Sequence, residues 1–181
     1  MQLPITSTHD APALSRPILE SIAAELGLVP NLAAAIAVSP ALLAGFDGLR
    51  RAVGVAGLDP LLREVTGLAV GVTVDNHYGI AFHSTMLAGL GMAEEDIAAI
   101  RGGSAPAAPT TAAVHALAVE AAAHRGKVAD ATLTRVQEAG LDHEAVLEIV
   151  LEVAFASLVG LIDNVAGRVE LDEFLRPRAH A

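Results

Sequence analysis

The segment 142–167 constrains the fold more than any other part of the chain, because it is long, helical in pattern and apolar on several faces. A surface helix carries its apolar residues on one stripe, whereas a helix that is apolar all round is buried. We therefore expect a helix that lies either at the centre of the molecule or at a subunit interface. Its apolar side chains are Val146, Leu147, Ile149, Val150, Leu151, Val153, Ala154, Phe155 and Leu158.

The rest of the chain also has a helical pattern. Hydrophobic residues make up 53% of the sequence and aromatic residues only 3%, so small aliphatic side chains fill the core, which suits closely packed helices better than a β-sandwich. Prolines and capping residues such as Asp59 mark the starts of the segments, and glycines such as Gly27 mark their ends. The predicted helices span 17–26, 32–38, 41–54, 60–73, 76–90, 93–101, 110–124, 128–139 and 142–167.

A chain of 181 residues is expected to form one domain with a substantial core. We predict a polar N-terminal arm over 1–16, a single all-α domain over 17–175 and a short tail over 176–181. The Gly-, Ala- and Pro-rich segment 102–109 reads as a linker that divides the domain into two halves.

A weak internal repeat connects the two halves. The sequence Ala-Gly-Leu-Asp at 56–59 recurs at 139–142, and Asp75-Asn76 recurs as Asp163-Asn164, whose Asn lies twelve residues after Glu152. Duplication explains this pattern, and so does the reuse of the same caps by two similar helical hairpins.

Charge and hydropathy favour some classes of partner and exclude others. The net charge of −10 disfavours nucleic acid and anionic membrane surfaces as partners, since both attract basic proteins. No apolar run is expected to reach transmembrane length, and the N-terminus lacks the pattern of a signal peptide, so we expect a cytoplasmic protein. The mean hydropathy of +0.52 predicts that apolar surface is buried in a homo-oligomer.

Residues 64–83 carry the candidate functional groups. Glu64 lies on an apolar helical run, Asp75-Asn76 breaks the run, and His77, Tyr78 and His83 follow within two turns. On a helix, positions 76, 79 and 83 share one face and His77 points elsewhere.

This segment resembles the signature of the alkylhydroperoxidase D-like / carboxymuconolactone decarboxylase family. There, a Glu precedes a Cys-x-x-Cys pair by twelve residues, and a His follows the second Cys by four. Glu64 and His83 match the Glu and the His, whereas Asn76 and Gly79 stand at the two Cys positions. The flanks match as well, and the resemblance extends over about 25–175 through the peroxidase-related segments Val29-Pro30-Asn31, Ser39-Pro40 and Glu170-Leu171-Asp172. It implies a helical alkylhydroperoxidase D-like bundle.

The chain contains no cysteine. In thiol-containing members, the resemblance implies that the Glu and the His help to deprotonate a Cys whose thiolate reduces a peroxide. Because the thiolate is the reacting form, we reject Cys-dependent peroxidase activity for this chain.

An acid–base pair, Glu64 and His83, remains as the candidate catalytic machinery. The carboxymuconolactone decarboxylase branch implies chemistry that does not depend on the thiols, and such a pair suits decarboxylation, lactone opening or enolisation of a small carboxylate or carbonyl compound. The pKa of Glu64 is expected to be raised if the carboxyl is buried and unpaired. The substrate-binding candidates are Asn76, His77, Tyr78 and Gly79.

Each candidate also has a purely structural interpretation. Glu64 and His83 can form a buried remnant, Asn76 can be only a helix cap, Tyr78 can pack in the core with its hydroxyl satisfied, and His77 can be exposed or lie at an interface. The corresponding alternative for the whole protein is a non-catalytic small-molecule-binding or scaffold protein. Neither a metal nor a cofactor is predicted, since the sequence has no His-x-x-x-His pair and no glycine-rich phosphate loop.

Overall fold

The fold is all-α over residues 3–179, which a computed structural model of the chain describes. These residues form nine α-helices and one 3₁₀ helix, and they contain no strand. The elements are α1 Arg16–Leu26, α2 Asn31–Ile36, α3 Pro40–Val55, α4 Pro60–Thr73, α5 His77–Gly89, α6 Glu94–Arg101, α7 Pro109–Ala123, α8 Asp130–Glu138, α9 His143–Ala166 and the 3₁₀ helix Glu173–Arg178.

Local capping chemistry explains why the predicted helices are found with ends that differ by no more than two residues. The side chains of Ser39, Asp59, Asn76 and Asp142 each accept a hydrogen bond from a free backbone N–H in the first turn of the helix that follows. The prediction of an all-α fold is therefore confirmed.

The two ends of the chain are more closely packed than the terms arm and tail suggest. Ala11 is buried in the core, and the Ser15 hydroxyl donates to the carbonyl of Ala37. Near the C-terminus, the 3₁₀ helix buries Leu175 completely. Met1, Gln2 and residues 180–181, the outer ends of the predicted arm and tail, lie outside the described residues.

Helix α9 joins two hydrophobic clusters. Val159 and Ile162, in its C-terminal half, pack with residues of α1, α2, α3 and α5. Ile149 and Val153, in its N-terminal half, pack with residues of α4, α6, α7 and α8. Helix α7, which follows the predicted linker, packs against α4, so the two halves of the sequence form one packed unit.

Helix α9 carries two charged residues that are buried inside the protein. By length and composition, α9 is the one helix within residues 3–179 that could cross a membrane, although the sequence analysis expects no run of that length. However, Glu152 and Asp163 are both buried, and Asp163 accepts hydrogen bonds from the backbone of Tyr78 and Val169. Contacts with α3, α4, α5 and α7 explain its apolar character as that of a central helix.

One side of α9 is nevertheless exposed and apolar. Leu147, Val150, Leu161 and Val165 are 68%, 48%, 65% and 65% exposed. The exposed Ala154 and the partly exposed Leu158 lie between Val150 and Leu161, so three- and four-residue spacing makes a stripe about 27 Å long. The predicted homo-oligomer would bury this stripe.

We expect the wild-type protein to exceed the 18.5 kDa mass of one chain in size-exclusion chromatography with light scattering. Leu161→Glu should shift it to the monomer mass with unchanged helical circular dichroism, because the stripe would then carry a charge. Val55→Glu is the matched control, since Val55 is 85% exposed and lies off the stripe. A monomeric wild-type protein would contradict the prediction.

Candidate active site

Helix α4 carries Glu64 into the interior. The helix starts at Pro60, and the Asp59 carboxylate accepts hydrogen bonds from the N–H groups of Leu61 and Leu62. One turn later the Glu64 side chain is buried, and its neighbour Arg63 is partly exposed. The cap therefore places a carboxylate inside the protein and a guanidinium at its edge.

Helix α5 starts with a tight contact between Asn76 and Gly79. The Asn76 side-chain oxygen accepts a hydrogen bond of 2.9 Å from the N–H of Gly79. A Cβ atom at position 79 would lie only 2.2 Å from Nδ2 of Asn76. Asn76 and Gly79, at the two Cys positions of the family signature, thus depend on each other. The Asn76 side chain can cap α5 only because position 79 has no side chain.

His83, two turns into α5, lies against the backbone of α4. Its Nδ1 is 2.8 Å from Oε2 of Glu64, and the other oxygen, Oε1, accepts from Nε of Arg63 at 3.1 Å. Gly67 makes this approach possible, since a Cβ atom there would lie 2.1 Å from Cε1 of the imidazole. Both oxygens of the Glu64 carboxylate are therefore occupied.

The contact between Glu64 and His83 favours the charged form of both groups. Burial disfavours the charge on each group, but the hydrogen bond and attraction between them outweigh it, so the pKa of Glu64 is lowered and the pKa of His83 is raised. A raised pKa is predicted from the sequence only for an unpaired Glu64, and the structure shows that this carboxylate is paired.

A second carboxyl, Glu152 of α9, faces the same imidazole. Its Oε1 lies 4.0 Å from Nε2 of His83, which is too long for a hydrogen bond. The other oxygen, Oε2, is buried and has no hydrogen-bond partner among residues 3–179. Burial, with a smaller contribution from the charge of Glu64, raises the pKa of Glu152 to about 7, although the charge on His83 opposes the shift.

Glu152 is not among the site residues predicted from the sequence. One signal for it exists in the sequence, because Glu152 is an acidic residue in the middle of the most apolar helix. The weak repeat also aligns it with Glu64. Only the packing of α9 against α4 and α5 shows that both carboxyls reach one imidazole.

A cavity of about 510 Å³ opens beside these three side chains. Its volume lies within the range of about 300–1,000 Å³ that is usual for small-molecule sites. Leu26, Leu28 and Phe174 line it and are 40–48% exposed, so the mouth is at the surface. Most of its wall is apolar, and the polar end consists mainly of Arg63, Glu64, His83 and Glu152.

The structure brings together some of the predicted substrate-binding residues and not others. Tyr78 and Gly79 line the cavity, together with Glu64 and His83, whereas Asn76 and His77 do not. The Tyr78 hydroxyl donates to Asp172 at 2.5 Å, and burial together with this hydrogen bond raises its pKa. Tyr78 therefore presents its ring to the cavity while its hydroxyl is occupied.

Within the described range 3–179, no group of three or more acidic or histidine side chains is arranged to hold a metal ion.

The sequence model of the carboxymuconolactone decarboxylase family matches residues 40–122, which contain Glu64 and His83. The resemblance to the alkylhydroperoxidase D-like / carboxymuconolactone decarboxylase family is thus confirmed over residues 40–122. No reviewed protein sequence matches it significantly. The chain contains no cysteine, so it has no thiol for a peroxidase reaction that depends on one.

Solved structures share the fold at low sequence identity. A peroxidase-related alkylhydroperoxidase D core from Ralstonia eutropha JMP134 aligns with a TM-score of 0.83 and 18% identity over 99% of this chain and 96% of that one. A peroxidase-related protein from Silicibacter sp. TM1040 aligns with a TM-score of 0.79 and 16% identity over 99% and 95%. A cysteine-to-alanine variant of the debrominase Bmp8 in complex with 2,3,4-tribromopyrrole aligns with a TM-score of 0.77 and 17% identity over 98% and 96%.

We expect Gly79→Ala to destabilise the protein by about 1–3 kcal/mol, because the added methyl group forces Asn76 out of its cap. With Asn76→Ala also present, the clash is gone, so the double variant should lose at least about 1 kcal/mol less than the sum of the single variants. Gly89→Ala is the matched control on α5, since nothing lies within 4 Å of the Cβ position. Urea unfolding measures the free energy of unfolding of all four variants. If the losses of the two single variants add up in the double variant, the contact between Asn76 and position 79 is contradicted.

Glu152 should make the protein less stable as the pH rises. Its pKa is about 7 in the folded protein against an ordinary 4.5, so the folded state binds more protons between these values and the free energy of unfolding falls across them. At about pH 8.5, Glu152→Gln should be more stable than wild type by about 2–3 kcal/mol, and at about pH 4 the difference should vanish. Chemical unfolding at the two pH values measures the free energy of unfolding of each protein. A difference between wild type and Glu152→Gln that does not change with pH would contradict the raised pKa of Glu152.

Proposed function

We propose that this protein is a thiol-independent enzyme that moves protons at a carbon atom next to the carbonyl group of a small compound. The observation that carries the proposal is the polar end of the cavity. There, Glu152 has an unpartnered oxygen and a pKa of about 7, and it faces an imidazole that Glu64 holds in its charged form.

The role of each side chain follows from which of its polar atoms lack a hydrogen-bond partner. Glu64 has no free oxygen, so it orients His83 and keeps it protonated. Nε2 of His83 has no hydrogen-bonded side chain, since Glu152 is 4.0 Å away, and it can donate to a carbonyl oxygen of a ligand. Ionised Glu152 is then the base, because a pKa near the working pH is the most effective for proton transfer.

The reaction is an enolisation. Glu152 takes a proton from the carbon next to the carbonyl group, and the electron pair of the broken C–H bond forms the C=C bond of the enol. The carbonyl oxygen gains negative charge, which the N–H of the His83 imidazolium stabilises by donating its hydrogen bond or its proton. Reversal of these steps returns a proton to the carbon.

A neutral carbonyl compound suits this end of the cavity better than a carboxylate does. Burial and the neighbouring Glu64 already raise the pKa of Glu152, and a further anion beside it would raise the pKa again and remove the base at neutral pH. Both classes of compound are compatible with the sequence, and we choose the carbonyl compound because of the second carboxyl, Glu152.

The fold and the open cavity also support a small-molecule ligand. The Bmp8 variant has the same fold and holds a tribromopyrrole, so the fold can accommodate a compound of that size. The scaffold alternative predicts a filled site, whereas this chain has a cavity of about 510 Å³. A protein that binds such compounds without turnover is the remaining alternative, and the following measurement separates it from an enzyme.

We expect the protein to catalyse exchange of hydrogen for deuterium at the carbon next to the carbonyl group of small ketones, with phenylacetone and butanone as probes in deuterated buffer followed by proton NMR. Glu152→Gln and His83→Ala should each lower the rate at least about 100-fold. Glu64→Gln should lower it as well, because His83 then loses its charge at lower pH. The rate should rise with pH as Glu152 ionises near 7 and fall when His83 deprotonates.

Glu144→Gln is the control for these variants, because Glu144 is exposed at the start of α9 and lies outside the cavity. Its exchange rate should equal that of wild type. Exchange no faster than in buffer, or exchange that survives both Glu152→Gln and His83→Ala, would overturn the proposed reaction.

A further inference from the structure

The aromatic residues of this chain have one location. The sequence contains four phenylalanines, one tyrosine and no tryptophan. All five side chains line the same cavity: Phe46, Tyr78, Phe82, Phe155 and Phe174. They come from α3, α5, α9 and the 3₁₀ helix, so their meeting is a property of the fold and is not visible in the sequence.

Core packing alone does not explain this distribution. The cluster formed by α4, α6, α7, α8 and the N-terminal half of α9 is built from Leu, Ile, Val, Ala and Met and contains no aromatic ring. The chain therefore packs this large cluster without aromatic side chains, and all five of its aromatic side chains lie around the cavity.

Two of the rings are exposed enough to meet a ligand, although Phe82 also packs against the cluster that contains Phe46 and Tyr78. Phe174 is 42% exposed at the mouth of the cavity, and Phe82 is partly exposed and lies edge-on to the His83 imidazole, with ring centres 5.2 Å apart. Deeper in the wall, Phe46 and Phe155 lie 5.4 Å apart at an angle of 46°. The rings thus extend from the mouth to the polar end.

We infer that the cavity selects an aromatic compound, with one or two rings, whose carbonyl group lies one carbon away from the ring system and reaches His83 and Glu152. Aromatic rings favour edge-to-face and offset stacked contacts with one another, worth about 0.5–1.5 kcal/mol beyond the burial of their area. A saturated ring of the same carbon count gains only the burial. The preference for an aromatic compound is inferred from the five rings, whereas the position of the carbonyl group rests on the proposed function.

The test compares phenylacetone with cyclohexylacetone, which share the ketone group and the number of carbon atoms and differ in whether the ring is aromatic. Binding to the full chain is measured by isothermal titration calorimetry with wild type, Phe82→Leu, Phe174→Leu and Leu28→Ala. Leucine keeps the apolar character and removes the ring. Leu28→Ala is the matched control, since it removes apolar surface from the cavity without removing a ring.

We expect wild type to bind phenylacetone at least about threefold more tightly than cyclohexylacetone, and Phe82→Leu or Phe174→Leu to remove most of that preference. Leu28→Ala should weaken both ketones by the same factor and leave the preference intact. Circular dichroism checks that each variant is folded, and Phe174→Leu is informative even if Phe82→Leu is not, because Phe174 lies at the surface.

Equal binding of the two ketones, no binding of either up to its solubility limit, or a preference that survives both phenylalanine variants would overturn the inference. A separate measurement, the deuterium exchange, tests the proposed reaction. If the phenyl preference is found and deuterium exchange is not, the cavity is an aromatic-binding site without the proposed catalysis. If exchange is found without the preference, the catalysis stands and the aromatic selectivity is wrong.

Discussion

The hydrogen bond between Glu64 and His83 is the interaction on which the rest of the site depends. It joins α4 to α5 at 2.8 Å, in a place where both side chains are buried. Two buried charges cost desolvation, and their attraction compensates only when the geometry is good and the remaining polar atoms are satisfied. Here Arg63 satisfies the second oxygen of Glu64, and Gly67 lets the two helices approach closely enough. The contact therefore favours the charged form of both groups, and their charges modify the pKa of Glu152, which burial raises.

The loss of the thiol pair leaves a well-packed helix start. Asn76 caps α5 and Gly79 provides the space for its side chain, so the two positions form one structural unit. Behind them, Gly160 of α9 passes so close that a Cβ atom there would lie 2.6 Å from Val74. The unit fixes the direction of α5, and through it the position of His83. Acid–base groups remain beside the cavity, and Glu152, on a different helix, adds a carboxyl that the family signature does not include.

Several features were predictable because they depend on local chemistry. Caps such as Asp59 and Asp142 define helix starts through hydrogen bonds to neighbouring N–H groups, so the helices could be placed from the sequence. The twelve-residue spacing from Glu64 to Asn76 and the four-residue spacing from Gly79 to His83 identified the acid–base pair through the family resemblance. The roles of Tyr78 and Glu152 could not be read in this way. The partner of Tyr78 is Asp172, 94 residues further along the chain, and the environment of Glu152 is made by helices distant in sequence.

The sequence by itself determined the all-α fold and the absence of thiol chemistry, because helix periodicity, capping and residue identity are local properties, and the family resemblance singled out Glu64 and His83. Tertiary structure decided the rest. It set the ionisation of Glu64 and Glu152, because a pKa depends on burial and on charges brought close by folding. It also gathered five scattered aromatic side chains around one cavity, because side chains from separate helices meet only when the helices pack.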